Sequence, residues 1–465
     1  MEMLTFDAVV IGGGSAGYAA ARALVAGGAA VAVVDSAPEL GGLCILRGCM
    51  PTKALLHAAE LRHALEEAKH WGIHPGEVQI DIAALFGRKA ALIEQFASYR
   101  RGQLETGKFQ LLRARASFVD AHTLQLSDGR QVRAGHIVLA TGSKVARLPL
   151  PVLETIGCKT SDDLVDCANL PASLIVLGGG AVGLEFAQFY SRLGTRVSVI
   201  QRNPQILRDF DVDAAAEVEK AFRREGIEVF TGTRLLDARK SADQSEIFFD
   251  QVGSPGSARW LSAETVLHGM GRVPNLDGLN LSAAGVTCES GGIDTNARQQ
   301  SSVDHIYAAG DCCGPYEIVH LAIQQGEVAA HNILKPSTPR SMDYRVLLSV
   351  VFTEPQAAQV GLTEKEAKRR GLAYVAASYP FNDHGKSMIL GCREGLVKLI
   401  ASRADGEILG ATCVGPQGGE LIHEIAVAMA KRMTVHEFVQ VPHYHPTLAE
   451  IWTYPAEDLA AQLGA

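Results

Sequence analysis

The segment FDAVVIGGGSAGYAAARALVAGGAAVAVVD, residues 6 to 35, reads as strand, glycine turn, helix and second strand, and the order returns in SLIVLGGGAVGLEFAQFYSRLGTRVSVIQ, residues 173 to 201. The glycines match: Gly12, Gly14 and Gly17 in the first copy, Gly178, Gly180 and Gly183 in the second, 166 residues apart (178 − 12). A Gly-x-Gly-x-x-Gly turn between a strand and a helix lets a pyrophosphate approach backbone amides at the helix N-terminus. One such turn is common in α/β proteins. Two, each in a full strand-helix-strand setting, predict two dinucleotide-binding units. At 465 residues the chain is also too long for a single core.

The second strands end differently. Asp35 stands 23 residues after Gly12, where a carboxylate can accept a hydrogen bond from a ribose hydroxyl; the same count from Gly178 reaches Gln201. A carboxylate would repel the 2′-phosphate of NADPH, whereas neutral Gln201 with Arg202 and Arg208 would attract it. The second site is therefore expected to take NADPH, with NADH use left open. The alternative is that both arginines are solvated surface charges.

GGLCILRGCMPTKALL, residues 41 to 56, places Cys44 and Cys49 five positions apart. Five helical residues would part their Cα atoms beyond the ~7 Å that a disulfide tolerates, so the segment must bend. Gly41, Gly42 and Gly48 supply that freedom, and Pro51 with the run that follows predicts a helix starting just after Cys49. The positive end of a helix favours a thiolate there. Three readings stand at this point. A structural staple gains little from so short a loop, and a zinc pair lacks a second Cys or His pair at ligand spacing. The third is a redox-active dithiol. The other seven cysteines are scattered and read as buried or unpaired thiols.

The net charge of −8, from 43 basic and 51 acidic residues, argues against nucleic acid as the main partner. No run of ~18 apolar residues predicts a membrane span. The N-terminal MEMLTFDAVVIGGG enters a strand without a leader pattern, so the reading is a cytoplasmic protein.

Taken together, these residues closely resemble the flavoprotein disulfide reductases, the family of dihydrolipoamide dehydrogenase, glutathione reductase and mercuric reductase. The likeness runs from about residue 5 to residue 458 and keeps several unrelated motifs in the family's order. It implies an α/β fold with two Rossmann-like dinucleotide-binding domains and a C-terminal α+β dimerisation domain. The expected division is 1–149 for FAD, 150–275 for NAD(P), 276–343 completing the FAD domain, and 344–465 for the dimer interface.

By that resemblance the first glycine turn and Asp35 would hold the ADP part of FAD, with Thr141 and Gly142 of LATGS closing over it. Ser15 and Gly42 join the same cofactor-binding set, and Asp311, in IYAAGDCCG, matches the aspartate that reaches the ribityl chain. Cys44 and Cys49 match the redox pair, and Lys53 with Glu185 matches an ion pair beside the flavin. VPHYHPTLAE matches the family's His-Pro-Thr-x-x-Glu sequence, making His445 the acid/base and Glu450 its orienting partner. Hydride would pass from nicotinamide to flavin to the Cys44–Cys49 disulfide, and Cys44 would attack a small or lipoyl-type disulfide. In the family the histidine reaches the partner's active site, so an obligatory homodimer is expected.

Some positions depart from the pattern. The family's redox loop has Asn and Val where this chain has Leu46 and Arg47. The tyrosine gate of glutathione reductase corresponds to Ala181. The vicinal cysteines of mercuric reductase are absent from the terminal PAEDLAAQLGA, and Cys312-Cys313 lies instead beside Asp311. His443 and GGELIHE, residues 418 to 424, resemble dihydrolipoamide dehydrogenase, against the NADPH-like second site. The leading expectation is an NAD(P)H:disulfide reductase. Alternatives are dihydrolipoamide oxidation, mercuric reductase-like chemistry, a transhydrogenase or quinone reductase that bypasses the thiols, and a non-catalytic subunit of a lipoyl or sulfur-handling assembly.

Overall fold

The computed structural model describes residues 3–241, 243–289 and 291–464, and they form two compact units. The first unit takes the chain up to Thr52, Phe86–Arg147 and Gly271–Asp343. Its centre is a seven-stranded sheet in which Met3–Ile11 pairs in parallel with Val31–Val34 on one side and Gln131–Leu139 on the other. Gln110–Leu112 extends one edge in parallel, and Ile306–Ala308 pairs in parallel with the end of Gln131–Leu139. The hairpin Ala116–Phe118 and Thr123–Leu126 adds the antiparallel part.

The central strands are apolar on both sides because both faces are covered, as a parallel sheet requires. Helix Ser15–Ala26 lies on one face, where its Ala16, Ala20, Ala21 and Leu24 are buried with Ala8, Val10 and Val33 of the sheet. Helix Val319–Leu334 packs against it at close range: a Cβ on Gly326 would stand 2.3 Å from the Ala16 carbonyl oxygen. The other face buries Phe118, Leu124, Ile137, Leu279 and Ile293.

The second unit takes Lys53–Leu85, Leu148–Met270 and the chain from Tyr344 onward. It contains a parallel four-stranded sheet in the order Glu228–Phe230, Arg196–Ile200, Ser173–Leu177 and Thr265–His268, with the helix Ala181–Arg192 following the third of these. A three-stranded antiparallel sheet spans Thr233–Ser241, Gln244–Gln251 and Arg259–Ala263. The stretch after residue 344 builds a five-stranded antiparallel sheet from Leu348–Val351, Gln356–Gly361, Ile408–Gly415, Leu396–Ser402 and Tyr374–Pro380. Helices Gly418–Ala430 and Thr453–Leu463 cover it, and Phe381, Ile422, Ile425, Phe438 and Trp452 fill the space between. Of the alternating YRVLLSVV segment only Leu348–Val351 becomes strand, and the periodic GELIHEIAVAMA segment becomes helix.

One buried cation ties parts of this unit together. Lys398, with 4% of its side chain exposed, reaches Asp213 at 2.5 Å, Glu364 at 2.9 Å and Asp211 at 3.4 Å. Asp211 also accepts the backbone N–H groups of Glu364 and Lys365, which open the helix Glu364–Arg369. Burial by itself would favour the neutral amine, but the hydrogen bonds to Asp213 and Glu364 hold the Lys398 pKa above the ordinary lysine value. Lys398→Met should leave these carboxylates uncompensated and cost about 3–5 kcal/mol. The check is urea or thermal unfolding at neutral pH, and the loss should shrink in acid as the carboxylates protonate.

Candidate active site

The first strand delivers Gly12 with φ +104°, and a Cβ there would stand 2.2 Å from the Ala140 carbonyl oxygen. A Cβ on Gly17 would stand 1.8 Å from the Gly12 carbonyl oxygen, so helix and turn touch backbone to backbone. Gly14 is different, since a Cβ there would meet nothing within 4 Å. It is the N-cap of Ser15–Ala26, no side chain caps that helix, and its first N–H groups face the open space. Asp35 accepts N–H groups from Gly13 and Ala37, each at 2.7 Å, and retains lone pairs for a further donor. Beside it lies a cavity of about 380 Å³ bordered by Ser36, Arg113, Arg115 and Ser127.

Other predicted residues gather in the same unit. A Cβ on Gly42 would stand 3.0 Å from Gly14 Cα, so the root of the cysteine loop leans on the glycine turn. Thr141 Oγ1 is buried and has no hydrogen-bond partner among the described residues. Gly142 has φ +69°, and its carbonyl accepts the Asn275 N–H. Ser143 Oγ donates to Asp311 Oδ2 at 2.7 Å and accepts from Arg272 Nε at 2.8 Å. An uncapped helix end, a carboxylate beside a cavity and a buried, unmatched hydroxyl form a donor set that suits an adenine dinucleotide.

The second turn repeats the first in detail. Gly178 has φ +112°, and a Cβ there would stand 2.4 Å from the Gly269 carbonyl oxygen. A Cβ on Gly183 would stand 2.3 Å from the Gly178 carbonyl oxygen, and Gly180 again faces open space. Gln201 Oε1 accepts the Gly179 N–H at 3.3 Å, the place that Asp35 takes towards Gly13, and its Nε2 donates to the Gln205 carbonyl. Arg202 is exposed, and Arg208 is exposed with Asp209 at 3.5 Å. Both guanidinium groups stand at the surface.

The cysteine segment bends as its glycines require. Leu43–Leu46 makes a single turn and Arg47, exposed, ends it. A Cβ on Gly48 would meet the Leu43 carbonyl oxygen at 3.0 Å and Cys44 Cα at 3.1 Å, so the chain folds back upon Cys44 before helix Cys49–Glu67 begins. Cys44 is half-buried and Cys49 exposed. Lys53 is the fifth residue of that helix. Its Nζ donates to both oxygens of Glu185, at 2.9 and 2.7 Å, and lies 4.5 Å from the Phe352 ring centroid. Glu185, with 6% of its side chain exposed, also accepts the Phe352 N–H at 3.0 Å.

His445 and Glu450 come together as the spacing implied. Nδ1 of His445 lies 2.9 Å from Oε2 and 3.1 Å from Oε1 of Glu450, leaving Nε2 outward on a side chain that is 78% exposed. Two residues earlier, His443 Nε2 meets Glu424 Oε1 at 2.6 Å and Nδ1 meets the Val441 carbonyl at 2.9 Å, so the loop is held at two carboxylates.

Sequence reasoning missed several of these neighbours. Phe352 and His384 belong to no short chemical motif, and each meets a site residue from a distant part of the chain, while Arg272 donates to Ser143, the partner of Asp311. Cys312 and Cys313 are both buried, and the Cys313 thiol is pushed up by its neighbour Cys312 and by burial. Among the described residues no group of three or more His, Cys, Asp or Glu is placed to hold a metal, and no helix is long and apolar enough to cross a membrane.

Comparison with known proteins agrees with this geometry. The profile of the pyridine nucleotide-disulphide oxidoreductase family matches residues 6–326, and that of its dimerisation domain matches residues 347–456. A dihydrolipoyl dehydrogenase from Thermus scotoductus is 36% identical over 468 residues, covering 99% of this chain and 98% of its own. One from Mycobacterium leprae is 34% identical over 458 residues, with 96% and 97% covered. The structure of LpdA from Mycobacterium tuberculosis matches with a TM-score of 0.85 at 28% identity, covering 97% of this chain and 99% of that one. The HOCl-induced flavoprotein disulfide reductase RclA from Escherichia coli, at 23% identity and a TM-score of 0.84 over 97% and 99% of the two chains, shares the fold. Two glycine cradles, a glycine-hinged cysteine pair and a dimerisation domain thus occur together for a reason of descent: the chain belongs to the pyridine nucleotide-disulphide oxidoreductase family and is an enzyme of that class, whose cofactors are FAD and a pyridine nucleotide.

Proposed function

We propose that the protein is an FAD-dependent NAD(P)H:disulfide oxidoreductase that prefers NADPH and reduces a small or lipoyl-type disulfide through Cys44 and Cys49. The observation that carries this reading is the fold-back at Gly48, which sets Cys44 against the start of the helix headed by Cys49. Residues 1–149 with 276–343 would hold FAD, through Gly12, Gly14, Ser15, Gly17, Asp35, Gly42, Thr141, Gly142 and Asp311. Residues 150–275 would hold the nicotinamide nucleotide through Gly178, Gly180, Gly183, Gln201, Arg202 and Arg208. Residues 344–465 would pair two copies, each lending His445 to the other's sulfurs.

When bound, FAD supplies the two-electron relay between the nicotinamide and the Cys44–Cys49 disulfide. The chain's own groups then perform thiol–disulfide exchange. The Cys44 thiolate attacks one substrate sulfur, a Cys44–substrate bond forms, the substrate S–S bond breaks, and His445 gives its Nε2 proton to the departing thiolate. Cys49 next attacks Cys44, restoring the internal disulfide and releasing the second substrate sulfur, which takes the second proton. Helix Cys49–Glu67 favours anionic sulfur at its N-terminus, and Lys53 places a cation one turn further along. Buried Glu185 keeps that ammonium in one position.

A second reading is the opposite direction, oxidation of a dihydrolipoyl dithiol by NAD, with His445 as base. It draws on the dihydrolipoyl dehydrogenases among the relatives. The neutral Gln201 and the two surface arginines favour the reductive reading instead.

Anaerobic titration of the holoenzyme with NADPH and with NADH, followed by flavin absorbance and thiol counting, is the direct test. NADPH should expose two thiols at lower concentration than NADH; an enzyme reduced far better by NADH returns the assignment to the second reading. Arg202→Ala combined with Arg208→Ala should raise KM for NADPH by roughly tenfold or more and leave that for NADH nearly unchanged. Cys44→Ser should abolish disulfide turnover, and full turnover by that variant would leave only flavin chemistry that bypasses the thiols. Thr141→Val should leave the flavin-free protein as stable as before, or more stable, because a buried and unmatched hydroxyl is removed, while weakening FAD binding by roughly fivefold, the worth of one hydrogen bond.

A further inference from the structure

We infer that His384 is a positioning residue for His445, acting through Glu450; the inference rests on the reading of His445 as the acid/base group. His384 is fully buried, N-terminal to the helix Gly385–Ile389 and 66 residues before Glu450. Its Nε2 lies 3.1 Å from Glu450 Oε1, and its Nδ1 lies 2.7 Å from Ser387 Oγ, which is also fully buried. Glu450, with 9% of its side chain exposed, therefore carries an imidazole on each side, one inside the core and one facing out.

The donor logic of the chain is determined by the carboxylate, which only accepts. Nε2 of His384 carries the proton that meets Oε1, and Nδ1 is paired with the Ser387 hydroxyl, which can donate or accept. The buried ring is thereby held in one orientation by partners on both of its nitrogens. With Oε1 held by His384, the carboxylate keeps its rotamer, and Oε2 is presented to Nδ1 of His445 at 2.9 Å. That contact in turn points Nε2 of His445 outward as the proton-transferring nitrogen. A solvated loop histidine is thus aimed from the core through one shared carboxylate.

The ionisable groups around His384 are few. Glu450 and, beyond it, His445 come from the following stretch. Tyr454, on helix Thr453–Leu463, presents its ring edgewise at 6.0 Å. Behind Tyr454 stacks Tyr379, whose hydroxyl lies 3.1 Å from Asp383. His384 is the one group among these that both donates to Glu450 from the core and has a second fixed partner.

His384→Phe keeps the ring volume and removes the donor, whereas His384→Gln can place an amide N–H where Nε2 stood. Both are made in the full-length holoenzyme beside His445→Gln, with lipoamide as the disulfide probe and ¹³Cε1-histidine NMR across pH as a readout independent of any substrate. In His384→Phe the charge that Oε1 shared inward falls on His445. Its titration midpoint should rise, and kcat should fall about tenfold with KM little changed. His384→Gln should restore both. Adding His384→Phe to His445→Gln should cost nothing further.

An unchanged or lowered His445 midpoint in His384→Phe overturns the inference, as does a loss in both variants that tracks a lower melting temperature or lost flavin. If His445→Gln itself turns over lipoamide at the native rate, the acid/base reading of His445 fails, and the NMR midpoints still report whether His384 governs it.

Discussion

Backbone contact between a turn and the helix that follows it is the constraint on which the nucleotide sites depend. Because Gly17 brings its helix against the Gly12 carbonyl, the helix N-terminus ends up at the tip of the central strand rather than beside it. The helix end there has no side-chain cap, and Asp35 accepts the N–H of Gly13 in the turn itself. Gly183 and Gly178 build the same contact in the other unit, where the neutral Gln201 replaces the carboxylate. One backbone device thus recurs in both units, and the residue closing the second strand is a carboxylate in one and a neutral amide in the other.

A second theme is the buried carboxylate that governs a more accessible base. Glu185 holds Lys53, and Glu450 holds His445. Each of these acids is taken out of water only because hydrogen-bond donors compensate it, and each cationic or titrating partner loses the freedom of a solvated side chain. At His443 and Glu424 the burial is reversed, with the imidazole inside and the acid half-exposed. Lys398, encircled by acids, is likewise the arrangement turned inside out. In each case one member of the pair is anchored in the core and orders the other.

Much of this was legible in the sequence because the relevant residues are local. Gly12 to Asp35, Cys44 to Cys49 and His445 to Glu450 each lie within one supersecondary unit, where spacing converts directly into geometry. Lys53 and Glu185 were legible only through family resemblance, since 132 residues separate them. His384, Phe352 and Arg272 were not legible at all. Each makes its contact across a sheet or loop closure, and a lone buried histidine or phenylalanine has no local pattern that separates it from ordinary core. The grouping of residues 53–85 with 148–270 and the stretch from 344 onward is likewise a tertiary fact, since helix Cys49–Glu67 shows no break in its pattern at residue 53.

Gly42 sits directly against Gly14, so the cysteine loop is rooted in the same few atoms that shape the dinucleotide cradle. Position 42 is consequently closed to variation, since a side chain there would press on Gly14 and the backbone is in the left-handed region. Further along the loop Leu46 packs on Gly41, and Arg47 is the exposed residue that ends the turn. The loop thus joins a fixed root to an outward-facing positive charge within six residues of chain.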